Sequence, residues 1–276
     1  MRPDKILEIL TRTPLLMTPG RADSILAMFT QHATLGSQEF RAARSGVDEC
    51  GNNVELEKMT IEGSLAMIPV KGPLGSGLSK FEKGAGATDY ADIAADIAAA
   101  NEDHRVENIV LVMDTPGGMF GGLPECSLAI ERSIIPVYAY VPPGGEVASA
   151  GMWLAASCAG RFLSPSACAG SIGVYCKFMD MSEMAKDQGI KIKVFSSGTY
   201  KGMGVPGTAL TSDQEQFMQD QVMELADDFY NHIRANLGDV PDECMQGQMF
   251  RAGEAVNIGF ADDVVDSLAE LKAFLK

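Results

Sequence analysis

Between residues 64 and 175, apolar runs of strand length alternate with stretches of helical spacing, and this alternation restricts the chain to a small set of folds. The spacing predicts strands at 64–70, 107–113, 136–140, 161–164 and 171–175, with helices at 88–101, 121–133 and 148–158. That order is an α/β protein with mostly parallel pairing. The clearest segment is VENIVLVMDTPGGMFGG at 106–122, an apolar run that reads as a buried strand and closes in a Pro-Gly-Gly turn. Residues 1–43 read as helical with Pro and Gly punctuation, with ILEILTRTPLLMTPGRADSILAMF as two short helices around a Pro-Leu-Leu-Met turn. A polar stretch, 44–61, follows. The expected organisation is therefore an N-terminal helical arm and linker, 1–61, and a main domain, 62–276. GPLGSGLSKFEKGAGATDY at 72–90 is flexible in composition and reads as a surface loop or a lid. Residues 212–236 carry Phe217, Met218, Val222, Leu225, Phe229 and Ile233 at helical spacing, so an amphipathic helix is predicted there.

Charge and cysteine usage narrow the function classes. A net charge of −15 argues against nucleic acid or an anionic membrane surface as the main partner. With 46% hydrophobic residues in 276, the chain can bury a full core and still carry an appendage. Cys50, Cys126, Cys158, Cys168, Cys176 and Cys244 lack C-x-x-C spacing and have no histidine beside them, which points to free thiols in a reducing cytoplasm, with no metal or cofactor. No apolar run approaches 18 residues, so neither a signal peptide nor a membrane anchor is expected. A phosphate loop is disfavoured because no G-x-x-x-x-G-K-[ST] pattern is present.

Two separated segments carry possible chemistry. GGEVASAGMWLAASCAG at 144–160 presents Ser149 at a Gly/Ala-rich turn, and SGTYKGMGVP at 197–206 presents Lys201. A serine hydroxyl is a weak nucleophile until a neighbour takes its proton. His32, His104 and His232 sit in no motif-like setting, so a lysine base is the more economical proposal. Gly117 and Gly118 follow a strand, where glycine lets backbone N–H groups face an anion. Each feature also has a plain reading: a small serine where a helix meets a sheet, a solvated loop lysine, a tight turn.

Taken together, IPVKGPL at 68–74, DTPGG at 114–118, ASAGMW at 148–153, GSIGV at 170–174, GTYKGMGVP at 198–206 and FRAGEAVNIGFADDVVD at 250–266 resemble the signal peptide peptidase A family of serine peptidases. That family includes tailed-phage prohead proteases and has the caseinolytic-protease/crotonase fold. The resemblance implies that Ser149 is the nucleophile, Lys201 the general base and Ser171 the hydroxyl that orients the lysine. It further implies an oxyanion hole formed by the N–H of Gly118 or Gly117 and that of Ala150. An unperturbed lysine, with a pKa of about 10.4, is protonated at neutral pH, so burial must lower it. Extended polypeptide is the expected substrate, lying along 117–121 and 170–176 near Met119, Phe120, Ile172 and Gly173, while Trp153 reads as core. Relatives assemble as rings or domes, and the phage branch cuts capsid scaffold, which suggests a homo-oligomer in the cytoplasm or within an assembling virion. Two alternatives are a non-catalytic capsid-assembly protein on the same fold and a crotonase-type acyl-CoA enzyme; the second needs a carboxylate base, for which Glu146 and Asp114 are the nearby acids.

Overall fold

The computed structural model describes residues 58–275 and the backbone of a short strand at Leu15–Met17. In chain order the strands are β1 (Leu15–Met17), β2 (Thr60–Glu62), β3 (Leu65–Lys71), β4 (Leu74–Gly75), β5 (Thr88–Asp89), β6 (Asn108–Asp114) and β7 (Gly117–Met119). They continue as β8 (Val137–Val141), β9 (Glu146–Ala148), β10 (Gly160–Leu163), β11 (Cys168–Gly170), β12 (Met249–Arg251) and β13 (Asp263–Val264). The helices are α1 (Lys80–Gly84), α2 (Tyr90–Glu102), α3 (Leu123–Glu131), α4 (Ala150–Ala156), α5 (Ser182–Asp187), α6 (Ser212–Leu237), α7 (Ala252–Ile258) and α8 (Leu268–Phe274).

The main sheet has the order β13-β10-β8-β6-β3-β2, and all of its pairs are parallel except β2 with β3. β6 lies inside it because both of its faces are apolar. Ile109, Leu111 and Met113 face a cluster with Ile93 and Ile97 of α2, Ile130 of α3 and Phe229 of α6. On the opposite face, Val110 packs with Tyr140, Phe162 and Leu271 of α8. The two-residue period of a strand sends alternate side chains to these two layers, so a continuous apolar run is what the position requires. Two smaller sheets, β1-β7-β4-β5 and β12-β11-β9, sit where the chain leaves the main sheet, and they carry the site.

The observed elements follow the sequence reading through the core and depart from it in four places. The strand expected at 171–175 is instead β11, ending at Gly170, because Gly170 (φ 137°) and Ser171 (φ 54°) turn the chain out of the sheet. Residues 72–90 are neither lid nor plain loop: they hold β4, α1 and β5. Asp89 fixes this segment by accepting from Leu78 N at 2.7 Å and, as the cap of α2, from Ala91 N at 3.0 Å. In α6 only the C-terminal half packs, through Ala226, Phe229 and Ile233, whereas Phe217 and Met223 are exposed. The Pro-Leu-Leu-Met stretch is not a turn between helices, since Leu15–Met17 is a strand; the rest of the N-terminal arm lies outside the described residues.

Leu111 has no exposed surface and sits at the centre of the main cluster. Leu111→Ala should cost about 2–5 kcal/mol, read as a lower urea midpoint at unchanged slope.

Candidate active site

The site is built where β9 and β11 end side by side. Their parallel register pairs Ala148 with Gly170, so Ser149 and Ser171, the next residue on each strand, emerge together. Both turn at positive φ, 53° and 54°, and among the described residues they are the only non-glycine residues that do. A side chain in this region is strained by roughly 1–3 kcal/mol, and it persists only where the surroundings impose it. Here they do. Ser149 N donates to Gly170 O at 2.9 Å, and Ser171 N donates to Gln248 O, just before β12, at 2.6 Å. Ser149 is 1% exposed and Ser171 6%. The Ser149 hydroxyl has one long bond, to Gly173 O at 3.4 Å, so its proton is only weakly held. Ala150 then opens α4, where an N–H has no preceding helical carbonyl to accept it.

Thr115, which the sequence reading passed over inside DTPGG, ties this corner together. It is fully buried at the end of β6. Its N–H donates to Glu146 O at 2.7 Å, and its carbonyl accepts from Ala148 N at 3.0 Å, which attaches β6 to the strand that precedes Ser149. Its hydroxyl donates to Gly72 O at 2.7 Å and accepts from Gly117 N at 3.1 Å. A Cβ on Gly151 would meet Thr115 Cγ2 at 2.6 Å, so α4 reaches this distance only with glycine there. The signal that could have found it is the position itself: a short polar residue at the last step of a buried strand.

The Gly117 N–H is thus given to Thr115. Gly118 is held from its other side, since a Cβ there would collide with the Leu74 carbonyl oxygen across the β4–β7 pair. Met119 and Phe120 are half-buried, and the Met119 carbonyl accepts from Tyr90 OH at 2.7 Å. Ile172 does not line the site with its side chain, because it is fully buried in the core; Gly173 contributes its carbonyl to Ser149. Trp153 is core as well. It stacks on His232 of α6 at 4.4 Å and meets Phe120 edge-on at 5.8 Å, which joins α4, α6 and the end of β7.

Lys201 makes no hydrogen bond to Ser149 or Ser171 in the single chain, where the Ser149 hydroxyl bonds Gly173 O. It is exposed, and its side chain forms no hydrogen bond or ion pair among the described residues. Around it in sequence, Ile192, Val194, Phe195 and Tyr200 are exposed too, Phe195 by 93%. Asp114 Oδ1 accepts from Glu146 N at 3.1 Å, closing the turn at the end of β6. Cys126 and Cys158 are buried thiols pushed up to about 12 by loss of hydration, so neither is a thiolate nucleophile at neutral pH. Among the described residues no group of three His, Cys, Asp or Glu could hold a metal, and no helix is long and apolar enough to cross a membrane.

Comparison with known proteins adds the following. The sequence model of peptidase family S49 matches residues 129–273. The chain is 30% identical over 211 residues to capsid assembly protease C of Escherichia phage lambda, covering 75% of this chain and 48% of that protein. It is 24% identical over 238 residues to the putative signal peptide peptidase SppA of Enterococcus faecium, covering 82% of this chain and 66% of that one. The chain thus spans about half the length of the phage protein. Among solved structures it is similar to the 1510-N membrane protease specific for a stomatin homolog from Pyrococcus horikoshii, with 19% identity, coverage of 78% and 79%, and a TM-score of 0.43.

Two outcomes follow from the geometry. Thr115→Val keeps the methyl group but leaves Gly117 N–H and Gly72 O without partners, and should cost about 1–3 kcal/mol, seen as a lowered thermal midpoint. His232 Nε2 donates to Trp153 O (3.0 Å) and lies 3.2 Å from Ser157 Oγ, and burial holds its imidazole below its usual range. A lowered histidine pKa means that the unfolded chain binds the proton first. The contribution is therefore complete above about pH 6.5 and is lost as pH falls below it. Denaturation between pH 7 and 5 should show this slope, and His232→Gln should flatten it.

Proposed function

The chain belongs to peptidase family S49, and from that premise we propose that residues 62–276 form a serine endopeptidase with Ser149 as nucleophile, Lys201 as general base and Ser171 as the residue that orients the lysine amine. The reading rests on the paired turn: two buried serines, adjacent across β9 and β11, both held at positive φ by backbone bonds. Strained residues gather at functional sites, where the strain aims a group that an ordinary strand would turn away.

In the proposed reaction Ser149 Oγ attacks the carbonyl carbon of an extended peptide while Lys201 Nζ takes its proton. The tetrahedral oxyanion is accepted by the N–H groups of Gly118 and Ala150, each donor of this type supplying about 2.7–4 kcal/mol. Gly117 is set aside because its N–H is given to Thr115. Collapse breaks the C–N bond, the leaving amine takes the proton from Lys201, and water hydrolyses the acyl-enzyme with the lysine again as base. No cofactor enters.

The lysine must be neutral to act, yet in one copy it is solvated. We therefore place the working lysine in an assembly. A second copy seated over this segment, where Ile192, Val194, Phe195 and Tyr200 are exposed, would remove water from Lys201. A ring or dome of identical subunits meets that requirement. The lambda relative is named a capsid assembly protease, and we assign this chain the same substrate class, capsid or scaffold polypeptide in the cytoplasm or an assembling virion.

The test is intact-mass spectrometry of the assembled protein after reaction with a fluorophosphonate. Wild type should gain a single adduct, while Ser149→Ala and Lys201→Ala should gain none and lose turnover by about three orders of magnitude or more. Labelling that persists in Ser149→Ala sinks the nucleophile. Wild type that takes no label points instead to a capsid-assembly role without catalysis.

A further inference from the structure

β1 is distant in sequence from the strand it pairs with. Leu15–Met17 pairs antiparallel with β7, Leu15 opposite Met119, Leu16 opposite Gly118 and Met17 opposite Gly117. On its other side β7 pairs with β4, so without residues 15–17 it would be an open edge of its sheet. Extended substrate is expected along this edge, and we propose that residues 15–17 are its resident occupant, which incoming polypeptide must displace. The proposal deepens the peptidase reading and rests on it at one point: β7 carries Gly118, the assigned oxyanion donor.

Three observations separate a displaceable occupant from a structural strand. First, β7 is held in place without β1. Gly117 N donates to Thr115 Oγ1, the Met119 carbonyl accepts from Tyr90 OH, and Gly118 fits closely against Leu74. The edge is therefore preformed, which lowers the cost of binding a strand. Second, two of its three residues are glycine, so what it offers is main chain, and main-chain pairing accepts many sequences. Third, β1 is only Leu-Leu-Met, and Pro14 and Pro19 flank it. Proline has no N–H to donate, so the ladder cannot lengthen through either position.

Tethering makes so short a strand competitive. Residues 18–57 join β1 to the described domain, so the occupant is always present on its own chain. An internal ligand acts at an effective concentration that a free peptide matches only at about millimolar levels. The edge would thus reject weak, short peptides and admit a long or locally concentrated polypeptide, such as one packed in an assembling shell.

The experiment uses the full chain carrying Ser149→Ala, so that peptide is not consumed, and a fluorescent copy of residues 13–19, Thr-Pro-Leu-Leu-Met-Thr-Pro. Anisotropy gives its Kd with and without the added pair Leu15→Pro and Leu16→Pro. Successive strand N–H groups point to opposite sides, so one of these prolines removes a ladder donor. The double proline should tighten peptide binding at least about tenfold; equal affinity, or no binding to either chain, overturns the proposal. If the proline chain does not fold, hydrogen exchange on the unsubstituted chain decides: amides of 15–17 should exchange faster when peptide is added to saturation, and an unchanged rate overturns it. None of these readings needs hydrolysis. Peptide competition together with a failed fluorophosphonate test would leave the edge site standing and remove the peptidase assignment.

Discussion

The geometry of the site depends on the hydrogen bonds of Thr115. Where β6 leaves the main sheet, its N–H and carbonyl clasp β9 and its hydroxyl bridges Gly72 and Gly117. One buried residue thus fixes the distance between the turn that leads into β7 and the strand that leads into Ser149. Buried polar groups are costly unless fully paired, and full pairing makes a junction rigid. The adjacent glycines are consequences of that tightness. Gly151 lets α4 lie against the Thr115 methyl group, and Gly118 lets β7 lie against the Leu74 carbonyl.

On this anchored corner the fold places two strained serines. Strain at Ser149 and Ser171 is maintained because neither strand end is free to relax. Gly170 O holds the first serine, and Gln248 O, from the segment entering β12, holds the second. The C-terminal part of the chain, remote in sequence, is therefore a structural member of the site. Trp153 of α4, stacked on His232 of α6, gives α4 a second fixed point.

The remaining element is the one the single chain leaves open. Lys201 is solvated among exposed apolar side chains, while the serines are dry. Whether a surface side chain stays wet depends on what covers it. The β7 edge has a related character, being a main-chain surface whose occupant belongs to the same chain. Assembly would thus govern the lysine, and strand competition the groove.

Much of this was legible in the residues. The apolar runs at 64–70, 107–113 and 136–140 are β3, β6 and β8 within a residue or so, because a strand buried on both faces admits little besides apolar side chains. GSIGV and ASAGMW were seen as a pair from their resemblance to a family pattern, but that they adjoin is a matter of parallel register, Ala148 against Gly170, which no local window contains. Thr115 is not legible in the sequence because three of its four bonds, to Gly72, Glu146 and Ala148, run to residues brought near only by the fold. Ile172, expected at a wall of the groove, is buried in the core instead, since burial cannot be read from a Gly-rich motif. Leu15–Met17 reads locally as a turn because its pairing partner lies 102 residues away, Leu16 against Gly118. By itself, then, the sequence determined the layers of the core and the residue types at the turns, because periodicity and backbone freedom are local properties. The tertiary structure alone decided which turns meet, which N–H groups are already spent and which lysine stays wet, because pairing, hydrogen-bond competition and desolvation depend on neighbours that only the folded chain supplies.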